Sequence, residues 1–361
     1  MLRTVRRVAL LGATGSIGRQ AIEIVAAHPE LELCALQSGS TPLDELAAAH
    51  RVEHAQVGGD PVWLLDRSEP DVVLNAVVGF AGVRATLWAL DHGVTLALAN
   101  KESLVAAGEL ALAALERGGG SIVPVDSEHS ALHQCLEGRD PDTVLGLVLT
   151  ASGGPFRGRG RTELSNVTPE EALAHPTWRM GPKITVDSAT LANKGLELIE
   201  AHWLFGVPYA GIEVVVHPTS IVHALVRLRD GALLAHLGLP DMRVPISYAL
   251  TYPARPATPV EQLELASLTL SFEPVDDDAF PMLGLARKAG EAGGTAPCAY
   301  NAANEVAVAA FLDRRIGFLD IALVVEETLS RVEGTRARDL DDLIAADEEA
   351  RRLAGMGLLP A

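Results

Sequence analysis

Apolar residues in this chain fall into two alternating kinds of stretch: short continuous runs, and longer ones in which they recur every three or four positions. The first kind predicts buried strands and the second amphipathic helices. Val8 to Leu11 is the first run; a glycine-rich turn follows, then the helical AIEIVAAH, which stops at Pro29. Leu31 to Leu36, Asp71 to Val78, Thr95 to Ala99, Ser121 to Val125 and Val144 to Thr150 continue the series. Helices lie between them, one capped by Thr41-Pro42 and running to about His50, another ended by Gly93. Repeated strand and helix units predict an α/β fold with a doubly wound parallel sheet, whose ligands sit at the C-terminal ends of the strands.

Beyond Thr150 the pattern changes. Residues 152–182 read as a glycine-rich connection carrying His175, Trp178 and Met180, which is either a mobile lid or a loop anchored to the core by those side chains. Ile184 to Val186 is a short β-prone run, followed by a turn with Asp187, Ser188 and Thr190 and then a helix. On that helix Asn193, Lys194, Glu197 and Glu200 lie near one face. They either converge on an anionic, oxygen-rich ligand or form solvated charge pairs. Ile212 to Val216, Ile221 to Arg227 and Ala232 to Leu237 alternate like an antiparallel sheet with one exposed face, a surface suited to pairing across a homodimer, with His223 and His236 packed within it. A proline-punctuated linker from Pro253 to Pro281 leads to helices. In the first, from Asn301 to Leu312, Ala302, Ala303, Val306, Ala307, Ala310 and Phe311 form one stripe; the segment Asp339 to Leu353 reads as a solvated amphipathic helix.

A length of 361 residues predicts two or three domains. A net charge of -18 argues against nucleic acid, which takes clustered Lys and Arg to neutralise phosphates. No run is apolar and long enough to span a membrane. The start, MLRTVRRVALLG, is basic and then apolar like a secretory signal, but it enters the glycine turn without a small-residue cleavage pattern and reads as a first strand. Cys34, Cys135 and Cys298 are scattered and odd in number, which fits a reducing, cytoplasmic setting better than a disulfide framework or a thiolate metal site.

The first turn, Gly12-Ala13-Thr14-Gly15-Ser16-Ile17-Gly18, stands between strand and helix, the context in which backbone NH groups receive a dinucleotide pyrophosphate. The second strand ends in Gln37-Ser38-Gly39-Ser40, without the acid that an NAD site places on the ribose, so NADP is favoured. Asn100-Lys101-Glu102 stands at the nicotinamide end; Lys101 is either a helix-start surface lysine or a cation beside a substrate oxygen. Asp126 and Glu128, two apart in an extended segment, would face one hard cation together, or else form a helix-capping turn.

Eight segments in one order, GATGSIG, LANKESLV, PVDSEHSA, ASGGPF, HPTWRMG, KITVDSATLANKGLE, LGLPDMR and NAANEVAVAAF, closely resemble the 1-deoxy-D-xylulose 5-phosphate reductoisomerase family. The resemblance implies NADPH-dependent conversion of that sugar phosphate to 2-C-methyl-D-erythritol 4-phosphate in isoprenoid synthesis. It assigns Asp126, Glu128 and Glu197 to one divalent cation, Mg2+ or Mn2+, with Co2+ a further candidate. Ser152, Ser188, Asn193 and Lys194 would hold the phosphate, His175 would stand close to the substrate and Trp178 on the lid over it. Ser127 and Lys101 would meet the reacting end, with Lys101, Glu128 and His175 as the catalytic candidates. Thr14, Gly15, Ser16 and Ile17 match the pyrophosphate loop, and the cofactor set extends to Gly39, Ser40, Asn100, Glu102, Gly181 and Met242, the last flanking the nicotinamide. Two departures stand out: a lysine found at the adenosine end of some members is missing, leaving Ser38, Ser40 and backbone NH groups for the 2'-phosphate, and LAN at 191–193 replaces the commoner double-methionine spelling. Retro-aldol and aldol steps are the expected rearrangement, with a direct α-ketol shift as the alternative. The expected organisation is an N-terminal Rossmann-like domain at 1–126, a central α+β catalytic domain at 127–277 with a lid (152–182) and linker (253–277), and a C-terminal helical domain at 278–361. A metal-free NADP-dependent dehydrogenase and a non-catalytic NADP-binding regulator are the competing readings.

Overall fold

The structure is a computed structural model describing residues 5–358; residues 1–4, part of the basic N-terminal segment, and 359–361, the end of the expected helical domain, lie outside the described residues. In chain order the elements are β1 (Arg6–Leu11), α1 (Ser16–Ala27), β2 (Leu31–Ser38), α2 (Asp44–His50), β3 (His54–Val57), α3 (Pro61–Ser68), β4 (Val72–Asn75), α4 (Val83–Asp91), β5 (Thr95–Leu98), α5 (Lys101–Gly118), β6 (Ser121–Pro124) and α6 (Ser127–Leu136). Then come β7 (Val144–Ala151), α7 (Pro169–Ala172), α8 (Pro182–Thr190), α9 (Ala192–Phe205), β8 (Ile212–Val216), β9 (Val222–Leu228), β10 (Leu233–Leu237), α10 (Arg243–Thr251), α11 (Met282–Ala292), α12 (Ala296–Leu312), α13 (Asp320–Arg331) and α14 (Leu340–Gly357). The α/β class expected from the sequence holds. Two compact units result: one of residues up to Ser103, Ala111–Gln134 and Asp241–Gln262, the other of Leu104–Leu110, Cys135–Pro240 and Leu263 onward.

The first unit is built on a six-stranded parallel sheet, ordered β3-β2-β1-β4-β5-β6. The order reverses between β1 and β4, and at such a switch point the crevice beyond the strand ends receives ligands. Val8, Leu10, Leu33, Leu36, Val72 and Leu74 are buried in its core, where α10 adds Ile246, Ala249 and Leu250. Arg6 ties α10 down, its guanidinium donating to the carbonyls of Leu250 (2.9 Å) and Tyr252 (3.1 Å). Helix α2 begins at Asp44, two residues inside the expected Thr41-Pro42 cap.

The second unit holds a four-stranded sheet, ordered β10-β9-β7-β8. It is mixed rather than antiparallel throughout: β7 and β8 run parallel, while β9 pairs antiparallel with β7 and β10. β10 alternates exposed and half-buried positions at one edge. The rings of His223 and His236 lie 5.7 Å apart, packed as expected. Helix α12 is buried on more than the expected stripe, since Asn301 and Asn304 are buried too. Helix α14 is not wholly solvated: Asp347 is buried and paired with Arg351 at 2.6 Å, and the same arginine meets Glu305 of α12 at 2.7 Å.

One local expectation reverses. Ile184 to Val186, β-prone by branching, lie inside helix α8. Pro182 stands at the first helical position, pre-set for helix and with no amide hydrogen to leave orphaned. The Thr185 hydroxyl donates to the Gly181 carbonyl at 2.8 Å, and burial of Thr185, Val186 and Ala189 outweighs local propensity.

Candidate active site

In the first unit, the turn after β1 is fixed by backbone sterics. Gly12 has a φ of 83°, and a side chain there would place its Cβ 2.4 Å from the carbonyl oxygen of Ala76, just beyond β4. Gly15 caps α1 and Ser16 opens it, both exposed, with Thr14 and Ile17 half-buried. The first amides of α1 therefore stand at the switch point, a ready anion site. At the end of β2, Gly39 and Ser40 are exposed, but Ser38 is buried and its hydroxyl donates to the Thr41 carbonyl. The expected support for a 2'-phosphate thus narrows to Ser40 and backbone.

Asn100 is buried and stitches loops together. Its Nδ2 donates to the carbonyls of Val77 (2.6 Å) and Gly79 (2.9 Å) and to Glu102 (3.1 Å), while its Oδ1 accepts the amide of Ser103 (3.1 Å). Lys101 opens α5; it is buried, not a surface lysine, and its ammonium lies 2.5 Å from Asp126 Oδ2. Asp126 Oδ1 is 3.0 Å from His129 Nδ1 and accepts the Glu128 amide at 3.3 Å. The Asp126 carbonyl receives the Ser130 amide (2.8 Å), so Asp126 caps α6 and Glu128 lies in that helix's first turn. The extended arrangement expected for these two carboxylates is replaced by a helical one. Ser127 donates to Glu128 Oε2 at 2.5 Å. His129, fully buried, was not singled out from sequence; its three-residue offset from Asp126 was the available signal. Met242 precedes α10, half-buried against the core of this unit.

In the second unit, Gly154 has a φ of 64° and presses so closely on α8 that a Cβ would come 2.8 Å from the Ser188 carbonyl oxygen. That approach brings the Ser152 loop against the Ser188 turn. Ser152 Oγ is 3.0 Å from His175 Nε2 and accepts the Gly154 amide at 3.2 Å. His175 Nδ1 accepts the amides of Thr177 (3.1 Å) and Trp178 (2.9 Å), tying both residues to one ring. Burial holds the His175 imidazole below its ordinary range. Gly181 caps α8 and is exposed. Leu191 turns the chain from α8 into α9 with a φ of 62°.

Helix α9 then presents Asn193, Lys194 and Glu197. Asn193 Nδ2 donates to Glu197 Oε1 at 2.5 Å, and the Lys194 ammonium pairs with Glu197 Oε2. Glu197 is 1% exposed and Lys194 3%, which excludes the solvated surface pair. Glu200 is buried as well. A buried carboxylate beside an ammonium and an amide is costly to build.

Family comparisons agree along the chain. Residues 8–59 and 57–108 match the description 1-deoxy-D-xylulose 5-phosphate reductoisomerase, residues 122–205 its C-terminal domain, and residues 237–353 the DXP reductoisomerase C-terminal domain. A 1-deoxy-D-xylulose 5-phosphate reductoisomerase of Mycobacterium marinum is 49% identical, the match covering 98% of this chain and 94% of that protein. One of Xanthomonas axonopodis is 48% identical over 98% of this chain and 97% of its own. The Zymomonas mobilis reductoisomerase in complex with NADPH superposes with a TM-score of 0.90 at 42% identity, covering 99% of this chain and 100% of that one. A DOX-P reductoisomerase in complex with NADPH, fosmidomycin and magnesium gives 0.90 at 37% identity over 98% of both chains. Matched in sequence from end to end and in fold over nearly all its length, the chain belongs to the 1-deoxy-D-xylulose 5-phosphate reductoisomerase family.

Proposed function

We propose that this protein rearranges and reduces 1-deoxy-D-xylulose 5-phosphate to 2-C-methyl-D-erythritol 4-phosphate with NADPH and one divalent cation. The observation that carries the reading is the buried Glu197 flanked by Asn193 and Lys194, a charged cluster that a solvated helix face would not hold. NADPH and magnesium accompany the solved relatives. The residues here fit both groups: Gly15 caps α1 with no side-chain hydrogen bond to the helix's first amides, and Asp126, Glu128 and Glu197 offer the hard oxygen donors that Mg2+, Mn2+ or Co2+ takes. When bound, the cation supplies Lewis acidity at the ketone and the nicotinamide supplies a hydride.

The chain's own residues do the rest. Thr14, Gly15, Ser16 and Ile17 receive the pyrophosphate, Gly39 and Ser40 the adenosine end, and Glu102, Gly181 and Met242 the nicotinamide side. Asn100 acts through the loops it holds, because its amide is committed to them. Lys101 pairs with the Asp126 carboxylate and offsets negative charge at the reacting end. Glu128, oriented by the Ser127 hydroxyl, takes the proton of a substrate hydroxyl and returns it after rearrangement. Ser152, Ser188, Asn193 and Lys194 hold the phosphate. His175 and Trp178 close residues 152–182 over the substrate and exclude water.

Residues 1–126, 127–277 and 278–361 are assigned as NADPH-binding, catalytic and helical domains, with 253–277 as linker. A homodimer through the second sheet is supported by β10, an edge strand exposing Leu233 and Leu237. Cytoplasmic placement is supported by free Cys34, Cys135 and Cys298. Among the described residues no helix is long and apolar enough to cross a membrane. Loss of NADPH absorbance with the deoxyxylulose phosphate and Mn2+, run with and without chelator, tests the function. Turnover that persists after complete removal of divalent metal would overturn the three-carboxylate assignment in favour of a metal-free dehydrogenase, and no substrate-dependent oxidation would overturn catalysis.

A further inference from the structure

Helix α12 carries two fully buried amides at positions where an apolar stripe gives no reason for them, Asn301 and Asn304. Asn301 stays within its own helix, Nδ2 donating to Glu305 at 2.9 Å. Asn304 reaches across to α8, its Nδ2 donating to Asp187 Oδ1 at 2.8 Å. Asp187 is itself buried, and its Oδ2 lies 3.0 Å from Lys183 Nζ. Asn304 Oδ1 has no hydrogen-bond partner among the described residues, so the amide is kept for its donor at the cost of a stranded acceptor. One helical turn earlier, on the same face, stands Tyr300. Its hydroxyl donates to the Met282 carbonyl at 3.1 Å and lies where a Cβ on Gly195 would come within 2.9 Å of it. Asp187 immediately precedes Ser188, and Gly195 immediately follows Lys194. One face of α12 therefore touches the chain on both sides of the turn that Leu191 makes between α8 and α9.

We propose that α12 is the back wall of the phosphate-binding turn and that Asn304, through Asp187, is a positioning residue for Ser188. The proposal rests on the assignment of Ser188 and Lys194 to the substrate phosphate. A buried carboxylate tolerates few positions, because each must satisfy its oxygens. The Asn304 donor and the Lys183 ammonium together fix Asp187, and Asp187 fixes the backbone that carries the next hydroxyl. A turn ordered before the ligand arrives spares that ordering cost on binding. The helical domain then acts in substrate recognition and is more than a buttress.

The test uses the full chain and five variants: Asn304→Ala, Asn304→Leu, Asn301→Ala, Ser188→Ala and Lys194→Ala. Asn304→Leu fills the side-chain volume without the donor and serves if the alanine variant does not fold. Removing the donor is expected to raise KM for the deoxyxylulose phosphate roughly tenfold while kcat changes far less. The NADPH Kd and the half-saturating Mn2+ concentration are expected to stay at wild-type values. Asn301→Ala, a matched loss of a buried amide, is expected to lower Tm without moving KM. Whichever Asn304 variant folds, a KM equal to that of Asn301→Ala overturns the positioning role. If Ser188→Ala and Lys194→Ala raise KM in that case, only this proposal fails; if they too leave it unchanged, the phosphate assignment itself is wrong.

Discussion

Ser152 and His175 are joined over 3.0 Å, and the direction of that bond is set on the far side of the ring. His175 Nδ1 already accepts two backbone amides, so the proton resides on Nε2 and is donated to the Ser152 hydroxyl oxygen. Ser152 also accepts the Gly154 amide, which leaves its own proton to be given outward, as the phosphate contact proposed for it requires. One imidazole thereby links the Ser152 hydroxyl to the backbone at Thr177 and Trp178, residues of the proposed lid.

That linkage predicts a pH limb. Burial depresses the His175 pKa from its ordinary 6.5, so folding favours the neutral ring. The stabilisation is present above the unfolded value of about 6.5 and is lost as pH falls through the lower folded value. Protonating Nδ1 sets a donor against the amides of Thr177 and Trp178 and detaches the lid. KM for the sugar phosphate is expected to rise on that acid side, and His175→Asn is expected to remove the limb. A KM flat across this range in the wild-type protein would show that the ring does not hold the lid.

The Lys194 and Glu197 pair separates stability from function. Lys194→Met leaves the Glu197 charge buried without its ammonium, a change expected to cost about 3–5 kcal/mol. Adding Glu197→Gln removes the charge as well and is expected to recover most of that stability but none of the turnover. Glu197→Gln alone is expected to lower Mn2+ affinity and kcat while sparing the NADPH Kd. Denaturant unfolding and Mn2+ titration check both halves; a double variant no more stable than Lys194→Met would mean the pair is not the unit assumed.

The difference between what could and could not be read from sequence follows from how far each cause reaches along the chain. The GATGSIG turn was legible because its glycines recur at fixed spacing between an apolar run and a helical pattern that adjoin it in sequence. The spacing of Asn193, Lys194 and Glu197 was legible too, since a helix brings them together wherever it lies. The burial of Lys194 and Glu197 was not, because it depends on how α9 packs in the folded chain and not on spacing. Ile184 to Val186 read locally as strand because their side chains are β-branched, while Pro182 and tertiary burial make them helix. The bond from Asn304 to Asp187 spans 117 residues, beyond any periodicity argument.

Gly12 of the β1 turn and Gly39 of the cofactor set are expected to behave in opposite ways. Gly12→Ala forces a Cβ onto the Ala76 carbonyl at a φ of 83° and is expected to abolish NADPH binding together with some of the fold's stability. At Gly39 a Cβ would meet no atom within 4 Å, so Gly39→Ala is expected to keep Tm and to change NADPH affinity only through the cofactor itself. Calorimetric titration of NADPH with both variants decides. Equal losses of affinity and of Tm in the two would mean that the β1 turn is not the steric constraint described.

Lys101 and Asp126 set a charge question with a definite sign. Their 2.5 Å contact is partly buried, so the ammonium supports the Asp126 carboxylate and at the same time repels a dication that the carboxylate would bind. If Asp126 is a metal ligand, removing the ammonium with Lys101→Met takes away that repulsion, and the expected result is Mn2+ binding at least as tight as wild type. Turnover is expected to fall by about two to four orders of magnitude, the usual scale for a charged group acting on the transition state. Tighter metal with lost turnover would separate Lys101 from the metal ligands and assign it to the reacting substrate. Weaker metal binding in Lys101→Met would instead mean that the lysine mainly holds Asp126 in place, and its role would be that of a positioning residue.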